Sequence, residues 1–470
     1  MKDLLKAVIA LLFYAGLAPL LGMVLASRRT WQRAVFALMV FIPSWHPGKF
    51  TLMMGSVETY RGHAKGFEIS LLEVLALALI IAVLTGKPRA LAKPDLRHRG
   101  LPPGLFLYGL WCFAAMLSIV HAVEPSYALM ALVRWSKGTL ILAAAILYLR
   151  DEDDLRWAGR GLAVGLVVQA LVCLKLRYFD GRFQVKGWFE HQNSMAMWAY
   201  MSALPLMALA LHRRLPRWDT LLFIAGIGGG GLCILLSVSR AALAVYAAGC
   251  LAILLLAWWR QPGIRPALAT VGGALGAVMV MLFAMDSINA RMREVEASKE
   301  ETELDLRDIL NLQSAAMFHD HPWVGLGWNH FGVANSRPRG DRYSQILEDW
   351  DESRGFTIYE ENYLANPLTE SLYWLWLAET GLAGFVAFLC FELATLGWAL
   401  RVWWKEKESL FGSAAGGLGV MLTLCYAHGM VERILTQPKN LSMWLLLAGM
   451  LGGMEWRRRS DARQPKNVRR

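Results

Sequence analysis

Residues 182–200, RFQVKGWFEHQNSMAMWAY, set Arg182, Lys186, Glu190, His191 and Asn193 against the start of a long apolar run. Cations there suit an anion, and an imidazole suits a substrate hydroxyl or the entrance of the next helix. Arg134 and Lys137, in YALMALVRWSKGTLILAAAILYL, are three residues apart and so share one helical face. A cation inside a membrane span costs about 2.5–3.5 kcal/mol on insertion scales. It therefore snorkels, pairs with a carboxylate, or lines a polar cavity that takes an anion. Arg240, in LLSVSRAALAVYAAG, falls at a tight turn between two apolar runs. A guanidinium bonds two phosphate oxygens at once and keeps its charge, and the following helix start adds N–H donors; an ordinary interfacial arginine is the alternative. Glu370 and Glu379 lie in NPLTESLYWLWLAETGLAG. Thr369 followed by Glu370 reads as a helix start with an acid in its first turn, favoured by the dipole. Glu379 sits inside an apolar helix, where a carboxylate needs a partner. Either can act as a base if desolvation raises its pKa.

RDILNLQSAAMFHDHPWVGLGWNHFG completes the set of chemical stretches. Its apolar positions from Ile309 to Phe318 have helical spacing, Pro322 ends the helix, and Gly325, Gly327 and Gly332 mark a turn that can approach a ligand closely. His319 and His321 cannot face the same way on a helix, and with His330 they find no Cys or carboxylate to complete four ligands. No metal site and no cofactor are expected.

These residues must be positioned by a membrane framework. The 470-residue chain is 56% hydrophobic and 18% charged, where a soluble protein carries about 25% charged residues. Apolar runs near 4–26, 33–45, 68–86, 103–122, 127–149, 157–177, 195–211, 219–237, 240–258, 266–285, 370–400, 410–430 and 439–455 read as spans. The fold class is all-α: a polytopic membrane helical bundle of about 12 transmembrane helices with one large, partly helical loop. Three units follow: an N-terminal bundle, 1–285; the loop, 286–369; and C-terminal helices with a basic tail, 370–470. The first run reads as a retained helix rather than a cleaved signal. All six cysteines fall within apolar runs and read as small core residues.

The net charge of +11 sits in short loops beside the spans, which marks orientation and contact with anionic lipid rather than nucleic acid. SRRTWQR, GKPRALAKPDLRHR, HRRLPR, RQPGIR, RVWWKEK and the tail fall at alternate connections, on the cytoplasmic side. That count puts 178–194, the turn Ser237–Arg240 and the 286–369 loop outside. Arg177, Arg182, Lys186, Arg240, Arg291, Arg293 and Arg307 then stand where the rule disfavours them, and an external anion near the membrane plane explains them.

The stretch 178–400 resembles the O-antigen ligases and Wzy-type polysaccharide polymerases. WFEHQNSMAM resembles that family's G-H-x-N-S-A run, and LSVSR and the RDIL…GWNHFG segment follow in order. ESLYWLWLAETGLAG resembles its H-N-x-x-L-x-x-x-x-E-x-G-x-x-G. The resemblance implies an inner-membrane enzyme with its active site toward the periplasm. It implies a glycan donor on undecaprenyl diphosphate, and metal-independent, inverting transfer to an acceptor sugar hydroxyl in polysaccharide polymerisation or ligation. Arg182, Lys186, Arg240, Arg307 and Arg134 are then the diphosphate contacts. His191, Asn193, His330 and Glu379 are substrate-binding candidates. Glu370 stands where the family carries His and becomes the catalytic base, with His330, His319 and Glu361 as substitutes. That replacement favours a polymerase over a lipid A-core ligase. A transporter of lipid-linked oligosaccharide and an inactive relative are the alternatives, and no internal repeat favours transport. The enzyme reading requires Arg182, Arg240, Arg307 and Glu370 to line one outward cavity.

Overall fold

The computed structural model describes residues 2–45, 51–57, 59–60, 62–86, 102–276, 300–335, 341–354 and 367–463. Arg291, Arg293 and Glu361 lie outside them. The architecture is an all-α bundle, as the apolar runs demand: without water, only a helix satisfies every backbone group within one segment. Among the described residues, seven helices are long and apolar enough to cross a membrane: Asp3–Ala26 (α1), Pro125–Tyr148 (α5), Glu152–Phe179 (α6), Arg217–Ser237 (α8), Arg240–Arg260 (α9), Leu372–Lys405 (α14) and Leu410–Gly429 (α15). Leu71–Thr85 (α3) and Leu105–His121 (α4) are shorter apolar helices. Arg29–Phe41 (α2), Gln192–Ala210 (α7), 264–276 (α10) and Pro438–Arg463 (α16) complete the bundle. α7 lies deepest, packed against α6, α8, α9, α15 and α16.

Local chemistry sets the boundaries. Asp151 caps α6 by accepting the Asp154 N–H at 2.8 Å, Ser70 and Glu73 form a capping box for α3, and prolines open α5 and α16. α14 starts later than Glu370: Ser371 is the cap, its hydroxyl accepting the Trp374 N–H at 3.4 Å, so Glu370 stands just outside the helix.

Two pieces are not spans. The connection after α2 folds into a short antiparallel hairpin, Thr51–Met54 (β1) with Phe67–Ser70 (β2), which the run pattern left as a plain linker. The large loop supplies helices Glu300–Asp320 (α11), Phe331–Ala334 (α12) and Arg342–Arg354 (α13), and α11 packs on α14.

The end of the bundle away from this loop is stapled by charge. Asp154 is held by Arg29 and Arg33, and Glu455, fully buried, by Arg458, Arg459 and Arg401. Several basic loop residues thus also serve as ion-pair partners of buried carboxylates, which leaves neither charge uncompensated.

Candidate functional site

The turn after α11 and the kink of α14 interlock, and this junction organises the site. Gly381 adopts φ 59°, ψ −166° within α14, conformational space open to glycine. The kink frees backbone groups, and the loop takes them: Leu382 N–H donates to Pro322 O at 2.8 Å and Ala383 N–H to Trp323 O at 3.0 Å. In return Leu326 N–H donates to Ala378 O at 3.0 Å and Gly327 N–H to Glu379 O at 3.2 Å. Gly325 lies so close to the Glu379 carbonyl that a Cβ has no room. The close approach expected of these glycines is, at Gly325, to a helix backbone, while Gly332 faces the Tyr60 ring.

Glu379 finds its partner here. Fully buried, its carboxylate accepts Asn329 N–H at 2.9 Å and Phe331 N–H at 3.0 Å. Asn329, at φ 61°, reaches the other way into the loop before β2. Its Oδ1 accepts Ala64 N–H at 3.2 Å, while Nδ2 donates to Ala64 O at 2.8 Å and Tyr127 O at 3.2 Å. Tyr60 donates its hydroxyl hydrogen to Asn329 O. One asparagine thus ties three remote segments together. Asn329→Ala removes three buried hydrogen bonds and orphans their partners, at about 1–3 kcal/mol for each stranded group. A drop of several degrees in the detergent unfolding midpoint is the expected reading, and an unchanged midpoint would contradict it.

Beside this clamp lies a cavity of about 480 Å³. Lys65, Arg134, Arg433 and Lys439 line it with Glu68, Glu190, His63, Ser194 and Thr436. Among the described residues, four cations against two carboxylates give the lining a formal net charge of +2. Arg134 is aimed by a 2.6 Å bond to Thr436 O, and its helical neighbour Lys137 pairs with Glu73 at 3.5 Å. A smaller recess of about 90 Å³ shares Glu68, Arg134 and Lys439 with the cavity, then continues among Ile42, Trp45, Leu71, Leu72, Leu441 and Leu445.

His63 meets the cavity wall through its backbone, while its side chain is fully buried, ringed by Trp135, Trp328 and Trp376. Its Nδ1 is 3.6 Å from Glu379 Oε2. Burial, then Arg134, Arg433 and His330, hold its pKa well below the ordinary 6.5. His330 is also held low by burial; Nδ1 meets Trp328 O at 2.8 Å and Nε2 accepts Glu124 N–H at 3.2 Å. Both are buried neutral. Below about pH 6.5 the unfolded chain binds protons that the folded chain refuses, so stability rises with pH. The unfolding midpoint is expected to fall as pH drops from about 7 to 5; a flat midpoint would refute it.

The other site residues predicted from sequence spread over the same end. Arg307 and Glu370 meet in an ion pair at 2.6 Å, both partly exposed. His191 caps α7, its Nδ1 accepting Asn193 N–H at 3.3 Å; burial lowers its pKa, against the pull of Glu432 and Glu370. Asn193 donates to Glu432 Oε1 at 3.0 Å. Lys186 is exposed and donates to Glu190 O at 3.3 Å, Arg182 is exposed on its turn, and Arg240 opens α9.

Arg182, Arg240, Arg307 and Glu370 do not line the cation-rich cavity, so the convergence expected of them is not met; of the diphosphate candidates Arg134 does line it, and an anion site rests instead on the cations gathered around Arg134. Its companions Lys65, Arg433 and Lys439 are residues that sequence reasoning passed over, as are His63 and Asn329. The signal for Arg433 and Lys439 was VERILTQPKN, two more cations on the side already assigned to the loop. The opening stretch itself supplies part of the wall, through Phe189, Glu190 and Ser194.

No curated protein matches the chain. A family model does match, over residues 221–389, a stretch that holds α8, α9, the described loop helices and the Gly381 kink but not His63, Arg134, Arg433 or Lys439. Its description is O-antigen ligase, which supports the resemblance to the O-antigen ligase and Wzy-type family and membrane glycan processing of that kind.

Proposed function

We propose that the protein moves a glycan from a polyprenyl diphosphate carrier, undecaprenyl diphosphate in a bacterial inner membrane, to an acceptor sugar hydroxyl on the periplasmic side. The observation that carries this reading is the cavity lined by Lys65, Arg134, Arg433 and Lys439. The formal charge of +2 on its described lining complements the two negative charges of a diphosphate diester. The apolar recess beside it suits the first prenyl units. The leaving group is already activated, so the protein must neutralise developing charge, hold two substrates and accept one proton. Fixed cations in a site shielded from water do the first without reorganising, and the clamped loop does the second. Back-side attack inverts the anomeric centre.

The acceptor is a second lipid-linked glycan, making the chain a polymerase, since Glu370 stands where the ligases carry His. Deleting the gene and examining surface glycans tests this. Loss of long chains, with single lipid-linked units accumulating, is the expected result. Long chains stranded on the carrier would make it a ligase, and unchanged surface glycans would remove the proposal. Glu370→Gln tests the paired carboxylate: its ion pair with Arg307 joins the loop to α14, so a partial loss of output through weaker docking is expected. Complete loss in a stably folded variant would return Glu370 to the role of base.

A further inference from the structure

We propose that Glu190 is the proton acceptor in glycan transfer; the inference rests on the cavity taking a diphosphate donor. Besides its four cations, the described lining of that cavity holds three groups of a type that takes a proton: His63, Glu68 and Glu190. The His63 ring is sealed, with both nitrogens out of reach of solvent. Glu68 also lines the apolar recess, which places it where the diphosphate meets its prenyl tail. Glu190 lines the cavity but not the recess, and it is exposed. It therefore stands on the side left for the glycan and the acceptor.

The backbone of Glu190 is fixed while its side chain is left free. Lys439 donates to Trp188 O at 2.6 Å and sits 4.2 Å from the centre of the Phe189 ring. Lys186 donates to Glu190 O at 3.3 Å. Phe189 is buried, and its N–H donates to Lys186 O at 3.0 Å. The lysines on either side thus hold carbonyls. Among the described residues the Glu190 carboxylate makes no hydrogen bond or ion pair. Its charge still bears on Arg134 and Lys439. Back-side attack needs such an arrangement, because nucleophile and leaving oxygen flank one carbon and base and cations must lie close without pairing. In the step, the acceptor O–H proton passes to a Glu190 carboxylate oxygen as the acceptor oxygen bonds the anomeric carbon. The bond from that carbon to the phosphate oxygen breaks, and its electron pair leaves with the lipid diphosphate, held by Arg134 and Lys439. The exposed carboxyl then returns its proton to solvent.

The test uses the full-length protein in liposomes. Lipid-linked glycan extracted from the deletion strain is the substrate, and farnesyl diphosphate serves as the binding probe. Glu190→Gln is expected to slow transfer by roughly 10²- to 10⁴-fold while keeping the thermal stabilisation given by farnesyl diphosphate. Glu68→Gln should remain much the faster of the two glutamine variants. Formate added to Glu190→Ala should restore part of the rate, because it brings back a carboxylate. Arg433→Met is expected to lose the stabilisation by farnesyl diphosphate. Wild-type transfer by Glu190→Gln, or a Glu190→Ala rate that formate leaves unchanged, overturns the inference while leaving the donor site intact. So does a Glu68→Gln variant that keeps binding and is the slower of the two. Retained binding and transfer in Arg433→Met overturn the donor site itself. If Glu190→Gln fails to fold, Glu190→Asp decides, since it keeps the charge and shortens the reach: an unchanged rate rejects Glu190, and a slowed rate with binding kept supports it.

Discussion

Arg433→Met is expected to lower glycan output by roughly 10²- to 10³-fold at equal protein level, the usual cost of removing one preorganised group that stabilises leaving-group charge. The argument begins with position. Arg433 follows the end of α15 and lines the cavity together with Arg134, whose guanidinium is fixed by the carbonyl of Thr436. The two arginines therefore address the same space from separate elements. Methionine keeps most of the side-chain length and apolar contact, so the loss reports charge and hydrogen bonding. Arg433→Lys should recover part of the activity, because a lysine supplies charge without the planar two-point grip. The check is complementation of the deletion strain, scored by glycan chain length on gels. Output within threefold of wild type would show that the diphosphate binds elsewhere.

Gly381→Ala should unfold the site. At φ 59° an alanine is strained, and its Cβ would stand 2.5 Å from the Trp323 carbonyl carbon. Strain and overpacking together amount to roughly 2–6 kcal/mol, against a total stability of about 5–15 kcal/mol. The helix would straighten or the loop would lift; either breaks the bonds from Leu382 and Ala383 to the loop and moves Glu379 away from Asn329. The buried tryptophans Trp111, Trp135, Trp328 and Trp376 pack against one another here, so intrinsic fluorescence reads the loss directly. A marked fall in the unfolding midpoint and faster proteolysis within 322–331 are expected. An unchanged midpoint would mean that the junction contributes little to stability.

The framework was legible because a membrane span needs only a sustained apolar run, and within the described residues each such run holds a helix; the second half of the run 266–285 lies outside them. The placement of 178–194, the Ser237–Arg240 turn and the large loop together at one end followed from counting cations; Val185 N–H bonds Leu236 O at 3.1 Å there. The site itself was only half readable. Arg134 announced itself by its cost inside a span. His63 and Lys65 did not, because they lie in a connection whose strands are four residues each, too short to show alternation. Arg433 and Lys439 sit at helix ends, where a cation needs no special reason. Glu379 was visible as a carboxylate in want of a partner, but the partners came from Asn329 and Phe331, about fifty residues away. Such pairings are decided by how segments fold back, which no local pattern records.

The Asn329 clamp also fixes when the site can first exist. Asn329 and Ala64 are 265 residues apart, and Glu379 follows Asn329 by a further 50. At about 5–20 residues per second of synthesis, the His63 loop is made tens of seconds before the Asn329 clamp can hold it. A ribosome stalled before codon 380 would leave a bundle that lacks most of α14 and all of α15 and α16, and so lacks the clamp as well.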